Sequence, residues 1–184
     1  MPAFLLRLSW RLPVRLGNDV WQEFFDDFNA SVWRLELHPV YTMPQEDTNL
    51  TRYRSGERLP DDHWSPWMER VKGYVDSGRS IGRVHVVRKP LSEYLRFEFD
   101  WYYRHHVKAG EDIRILDLTG KPDPGLPDHD FWLFDEKRVV KMLYRPDGTQ
   151  IGRELVDSPD IEEYKRYRDI ALMDAVPFLE YWPG

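Results

Sequence analysis

The chain has 184 residues, 41% of them hydrophobic, 32% charged and 15% aromatic, with a formal charge of −6. That is enough for one domain with its own core and short for two. The balance excludes a disordered chain, and the negative charge argues against sequence-independent binding to nucleic acid. Cysteine is absent, which excludes disulfides, thiolate metal sites and thiol nucleophiles and fits a cytoplasmic setting. No apolar run approaches the ~20 residues that cross a bilayer.

The chain opens with a strict alternation: Leu6, Leu8, Trp10, Leu12, Val14 and Leu16 apolar, and Arg7, Arg11 and Arg15 among the residues between them. This is the pattern of a strand with one buried face. Pro13 suits an edge strand and not a central one. Residues 1–18 are therefore read as a basic amphipathic leader, an edge strand or tail, which docks on its own sheet or joins a second copy into a homo-oligomer. Residues 19–184 form a single domain.

A first helix is predicted over Asp19–Ala30, with Asp19 as its cap and Val20, Phe24 and Phe28 on one face. Val32–Leu37 alternates as a strand. Pro44–Tyr53 reads as a short helix with acids in its first turn. The next helix is framed by Ser65 as cap, Pro66 at its first position and Gly78 just past its end. Ile81–Arg88 is a strand, Leu91–Val107 a helix and Asp112–Leu116 a strand. Strand, helix and strand over ~30 residues make a βαβ unit with parallel strands. Strands then follow at Asp130–Phe134, Arg138–Arg145 and Thr149–Val156, the last two joined by the turn signal Pro146-Asp147-Gly148. A closing helix starts near Ser158. The expected fold class is mixed α/β (α+β): a single domain whose mixed sheet has one βαβ unit followed by an antiparallel meander, flanked by helices.

The segments PLSEYLRFEF, AGEDIRIL, LPDHDFWLFDEKRVVKMLY and GRELVDSP resemble the actinobacterial domain-of-unknown-function family 6879, with similarity running from about Trp21 to Tyr181. Members of that family are often encoded beside helix-turn-helix regulators of the XRE type. The resemblance implies a regulatory or signalling accessory, and it carries no catalytic residues over. A second resemblance is architectural. A βαβ unit followed by a strand ending in Asp135 is similar to one half of a phospholipase D-type fold, whose His-x-Lys pair precedes an Asp. Counting back from Asp135, those two places hold Asp128 and Asp130, so such a fold would be degenerate here.

Four groups of residues are candidate sites. Arg88, Lys89 and Ser92 lie between a strand and a helix start, where an anion or nucleotide phosphate can bind; no glycine-rich loop accompanies them. Asp128, His129 and Asp130, with Asp135, form a polar cluster whose neighbouring positions point to opposite faces of a strand, which favours a turn over a metal site. Glu98 and Arg114 are a candidate structural ion pair between the crossover helix and the strand after it. Trp64, Trp67, Trp101 and Tyr102 are candidates for a partner-binding surface. His105 and His106 are read as dipole-stabilised charged residues at a helix end. No nucleophile–base pair, metal-ligand set or cofactor motif is recognisable, so no enzyme activity, metal or cofactor is expected. The leading expectation is a cytoplasmic regulatory protein that binds a protein partner, an XRE-type helix-turn-helix regulator, without contacting nucleic acid directly and with no transmembrane segment. The alternative is an anion- or nucleotide-binding protein.

Overall fold

The computed structural model describes residues 14–183, so most of the alternating leader lies outside the described residues. Its last turns belong to the sheet: β1 (Val14–Arg15) pairs antiparallel with β7 (Gln150–Leu155). The other strands are β2 (Ser31–Glu36), β3 (Ser80–Val87), β4 (Asp112–Asp117), β5 (Asp130–Phe134), β6 (Arg138–Tyr144) and β8 (Val176–Pro177). They form one mixed sheet in the order β1-β7-β6-β5-β2-β3-β4-β8. β3 and β4 are parallel neighbours, as the βαβ spacing predicts. A second parallel step, β2 to β3, precedes it. It escaped the sequence reading because its long connection holds two helices and an irregular stretch instead of one crossover helix. β5, β6 and β7 follow as the antiparallel meander.

Alternation along the strands gives the sheet two buried faces. One face packs Val32, Ile81, Trp132, Phe134, Val140 and Met142 under α1 (Asn18–Asp27) and α3 (Pro66–Asp76). The same face continues under the long helical segment after β3, where Val87, Ile113 and Ile115 meet Phe99, Tyr103 and Phe178. The other face packs Leu35, Val84, Leu116, Phe131, Leu133 and Val139 against Tyr164 and Ala171 of α6 (Ile161–Met173). β5 is buried along its whole length, which explains its unbroken apolar run: it is a central strand covered on both sides.

Local signals set most helix ends. Ser65 Oγ accepts from Met68 N at 3.3 Å with Pro66 at the first position, and Gly78 takes φ 80° beyond the end. The first and last helices differ from expectation. Gly17, without a side-chain cap, precedes α1, and Asp19 sits in its first turn. Its buried face is Trp21, Phe24, Phe25 and Phe28, so Val20 turns outward at 43% exposure: a stripe at i, i+3, i+4 and i+7 excludes the position before it. The closing helix starts later than Ser158, because Asp160 is its cap, accepting from Glu163 N. Pro44–Glu46 is a 3₁₀ turn leading into α2 (Asp47–Arg54).

The segment after β3 runs without a break through α4 (Glu93–Glu98), a π-helical turn at Phe99–Tyr103 and α5 (Arg104–Ala109). A π turn carries an extra residue and rotates the side chains beyond it relative to those before. A short α7 (Phe178–Tyr181) closes the chain against the same face.

Asp135 ties the α1–β2 link to the β5–β6 turn. Its carboxylate accepts from the backbone N–H groups of Asn29 (2.8 Å), Ala30 (2.7 Å) and Ser31 (3.0 Å), and it holds a positive φ of 52° that Asp tolerates better than most residues. Partial burial pulls this acid upward, but the three donors outweigh it and hold its pKa below the ordinary value. Asp135→Ala should cost about 1–3 kcal/mol at neutral pH. A depressed folded-state pKa means the contribution is present above the unfolded value of about 3.9 and is lost as pH falls through the folded one. Urea denaturation of wild type and variant across that range should show the gap closing on acidification; a constant gap would reject the ionised carboxylate as its source.

Candidate functional site

Strands β2 and β3 place charge in the middle of a covered sheet face. Arg34 and Glu36 alternate on β2, Arg83 and His85 on β3, and the parallel register sets Arg34 beside Arg83 and Glu36 beside His85. Arg83 joins two carboxylates: its Nε donates to Glu111 Oε1 at 2.7 Å and its Nη1 to Glu36 Oε2 at 3.1 Å. Arg34 Nη1 lies 2.9 Å from Glu36 Oε1. All of Glu36, Arg83, His85, Glu98 and Glu111 are buried. Burial would raise the Glu36 carboxyl, yet Arg34 and Arg83 together bring it down to about 2. Burial lowers His85, and the opposing pull of Glu36 and the His38 carbonyl does not restore it to its ordinary value. The neutral ring donates from Nε2 to the His38 carbonyl at 3.0 Å, which leaves Nδ1 to accept from Tyr103 Oη at 2.8 Å. Tyr103 Oη is also 2.7 Å from Glu36 Oε2, so two acceptors compete for one hydroxyl proton.

Beside this network lies a cavity of about 480 Å³, within the range of small-molecule sites. Trp21 and Phe25 of α1, Trp67 of α3, Trp132 of β5 and Tyr144 of β6 form one side; Tyr94, Trp101, Tyr102, His105 and His106 approach from the helical segment around the π turn. Arg34 contributes to the floor, its guanidinium 5.2 Å from the Trp132 ring and 5.5 Å from that of Tyr41. Tyr41, Met43 and Gln150 line it too. Thr42 N donates to Gly148 O at 3.0 Å, and a Cβ at Gly148, where φ is 84°, would strike the Val40 carbonyl. The β6–β7 turn is thereby clamped to the segment carrying Tyr41.

Buried polar atoms normally find partners. Here Arg34 Nε, Glu36 Oε1, Glu98 Oε2, Trp101 Nε1, His105 Nδ1, His106 Nδ1, Trp132 Nε1 and Arg153 Nε do not, and Tyr74 Oη is the only other such atom among the described residues. Every residue of the set except Tyr74 lines the cavity. Glu36 Oε1 is served by its ion pair with Arg34, while His106 Nδ1 and Glu98 Oε2 have only long contacts, 3.5 Å to Glu111 and 3.7 Å to His85.

The residues singled out from sequence are distributed differently. Asp128, His129 and Asp130 diverge. Asp128 is exposed and bonds His129 at 2.9 Å, His129 turns toward Tyr164 of α6, and Asp130 is fully buried, accepting from Tyr41 Oη at 2.5 Å and Leu37 N at 2.9 Å. Burial raises Asp130 to about 7. The strand alternation that separates these side chains leaves no convergent metal site, and Asp135 is occupied by backbone donors. Arg88 Nη1 donates to the carbonyls of Leu118 and Lys121, the latter at 2.9 Å. Lys89 lies 3.4 Å from Asp117, and Ser92 caps Leu95 N at 3.0 Å while donating to Pro39 O. Each of the three is thus engaged with protein groups, Arg88 and Lys89 with the segment after β4 and Ser92 with Leu95 and Pro39.

The expected Glu98–Arg114 pair does not form. Glu98 faces the interior near His85, whereas Arg114 is on the opposite face of β4, bonded to Asp112; strand alternation sends Arg114 away from the helix that covers Ile113 and Ile115. His105 and His106 are not charged helix-end residues. Burial lowers both, His106 to about 4, and at this helix end desolvation outweighs the dipole. Of the proposed contact aromatics, Trp64 is 46% exposed, Trp101 is buried, and Trp67, Trp101 and Tyr102 line the cavity instead of an outer surface. The residues that reasoning from sequence missed, Arg34, Glu36 and Arg83, did leave a signal: charged side chains two apart on one face of strands that are otherwise apolar.

The fold and site define a mixed-sheet α/β domain with a half-open aromatic cavity between the sheet and the helices α1, α3 and the segment around the π turn. The family described as domain of unknown function DUF6879 matches residues 19–183, and the chain belongs to that family. No curated protein matches the sequence. Among solved structures, TrmBL2, an archaeal chromatin protein reported with a novel mode of DNA binding, is similar at 15% identity and a TM-score of 0.41 over 96% of this chain and 55% of that one. The present chain thus spans about half of that protein, and a likeness of this strength carries no functional argument.

Arg83 holds two buried carboxylates, and Arg83→Leu should leave Glu111 without a guanidinium and Glu36 with Arg34 alone, costing about 3–5 kcal/mol. Chemical denaturation measures this directly. A loss below 1 kcal/mol, ~0.5 or less, would mean that Glu36 and Glu111 find other partners and that Arg83 is not the centre of the network.

Proposed function

We propose that this chain is a non-enzymatic, ligand-binding regulatory module whose ligand occupies the aromatic cavity. One observation carries the reading: buried polar atoms without partners are concentrated on residues lining a single cavity. Such atoms are costly when left unpaired, and a bound molecule with hydrogen-bonding groups is the simplest way to satisfy them. The π turn at Phe99–Tyr103 supports it, since π turns recur at functional sites and this one lies between Glu98 and the cavity-lining histidines. No nucleophile and base pair up within the cavity among the described residues: Glu36 and Arg83 are committed to each other, and His85 to Tyr103 and His38. This supports binding over turnover. No helix among the described residues is long and apolar enough to cross a membrane.

The eight tryptophans make the test direct. Trp21, Trp67, Trp101 and Trp132 line the cavity, whereas Trp33 and Trp182 pack in other clusters. In a small-molecule library screened by indole ¹H–¹⁵N spectra, binders should shift the four cavity indoles and spare Trp33 and Trp182. Binders that shift only Trp64, or an absence of binders, would overturn the cavity as the ligand site.

A second reading, partner binding, has its own support. Met173 is 79% exposed, with Leu179 and Val176 also exposed near the end of α6, and Trp64 is half-exposed at the start of α3. Exposed apolar residues this close in sequence, Met173, Val176 and Leu179, suit protein contact. The family resemblance suggests an XRE-type helix-turn-helix regulator in the cytoplasm, in which case the ligand would act by changing that contact. Co-purification with a co-encoded regulator should be weakened by Met173→Asp with Leu179→Asp; unchanged capture would remove this patch from the interface.

A further inference from the structure

One acid in the cavity wall lacks a counter-charge. The Glu98 side chain is 9% exposed, and its nearest basic atom is His85 Nδ1 at 3.7 Å, which is already engaged with Tyr103 Oη. Its Oε2 has no hydrogen-bond partner. The neighbouring acids are served: Glu36 by Arg34 and Arg83, Glu111 by Arg83. Two guanidiniums therefore answer two carboxylates, and Glu98 is left over. It lines the cavity together with Tyr94, Trp101 and Tyr102, its neighbours one helical turn to either side. The Trp101 indole N–H, also without a partner, offers a donor to a polar group on the same molecule. A buried carboxylate among aromatic rings is the chemistry that recognises organic cations, through a charge-assisted hydrogen bond and attraction to ring faces.

Resting on the reading of the cavity as a ligand site, we propose that it takes a small organic cation, an arylalkylamine whose charged nitrogen pairs with Glu98 beside Trp101 and Tyr102.

The electrostatics of the empty site agree. Burial, then the nearby Glu36, push the Glu98 carboxyl well above its ordinary value, against the opposing pull of Arg83 and Arg34; Glu46 adds to the rise. Tyr94 and Tyr103 on its own helical segment and His85 on β3 are the other titratable groups around it, the tyrosines raised and the histidine lowered by burial. Burial and Glu36 thus favour the protonated form of Glu98 in the empty site. An incoming ammonium group supplies the missing charge, Glu98 becomes carboxylate, and its proton leaves to solvent.

The test uses three indoles that differ in charge: tryptamine (cation), tryptophol (neutral) and indole-3-acetate (anion). Calorimetry in two buffers of different ionisation enthalpy reads affinity and proton release together. Tryptamine should bind about tenfold or more tightly than tryptophol, with indole-3-acetate weakest and with protons released on tryptamine binding alone. Glu98→Gln should erase the preference while keeping or raising the melting temperature, because it removes a buried acid without a partner. Should that variant fail to fold, the charge series and proton release in the wild-type protein decide the matter. Tryptophol or indole-3-acetate binding as tightly as tryptamine would overturn the cation while leaving the cavity a ligand site. Failure of all three at millimolar concentration would also overturn it, with the indole-spectrum screen deciding independently whether the cavity binds anything.

Discussion

The structure depends on keeping charge in the middle of a sheet covered on both faces. Arg83 bridges Glu36 and Glu111 with both acids out of contact with water. Desolvating such groups costs several kcal/mol each, which the ion pairs offset only in good geometry. Such an arrangement fixes register: a one-residue slip of β3 against β2 would move Arg83 and His85 to the face occupied by Leu35 and Val84, away from Glu36. The network contributes specificity of pairing more than net stability.

The cavity follows from the same constraint. Side chains that satisfy Glu36 and Arg83 cannot also fill the space above them, and α1, α3 and the helical segment around the π turn arch over the network. Rigid rings line that space: Trp21 and Phe25 meet edge to face at 5.0 Å, and Phe25 and Trp132 at 5.1 Å. Rings in such arrangements hold their shape without being filled, since each has a neighbour to pack against. The result is a half-open pocket with aromatic walls and a polar floor, a constitution shared by many small-molecule sites.

Two acids in the interior illustrate how neighbours decide protonation. Glu36 and Glu98 are both buried and both face β3, yet Arg34 and Arg83 bring the first down to about 2 while the second is driven up. The difference lies in which carboxylate the two guanidiniums reach. A site containing one satisfied acid and one unsatisfied acid is poised to respond to an added charge, which is a useful property in a sensor and an unnecessary one in a scaffold.

The local chemistry of the chain determined its elements. Ser65-Pro66 and Gly78 mark α3, the alternation in Ile81–Arg88 and the unbroken run in Asp130–Phe134 mark their strands, and the spacing between β3 and β4 implies their parallel pairing, because each of these signals acts within a few residues. Tertiary structure decided the rest. The parallel pairing of β2 with β3 brings Arg83 to Arg34 and Glu36, and the 47-residue separation of Glu36 from Arg83 hides that contact from the sequence. The π turn and strand alternation set Glu98 facing inward and Arg114 outward, so a pairing plausible from spacing alone never forms. Burial then converted His105 and His106 from expected cations into neutral rings. Desolvation depends on everything packed around a group, and no local pattern encodes it.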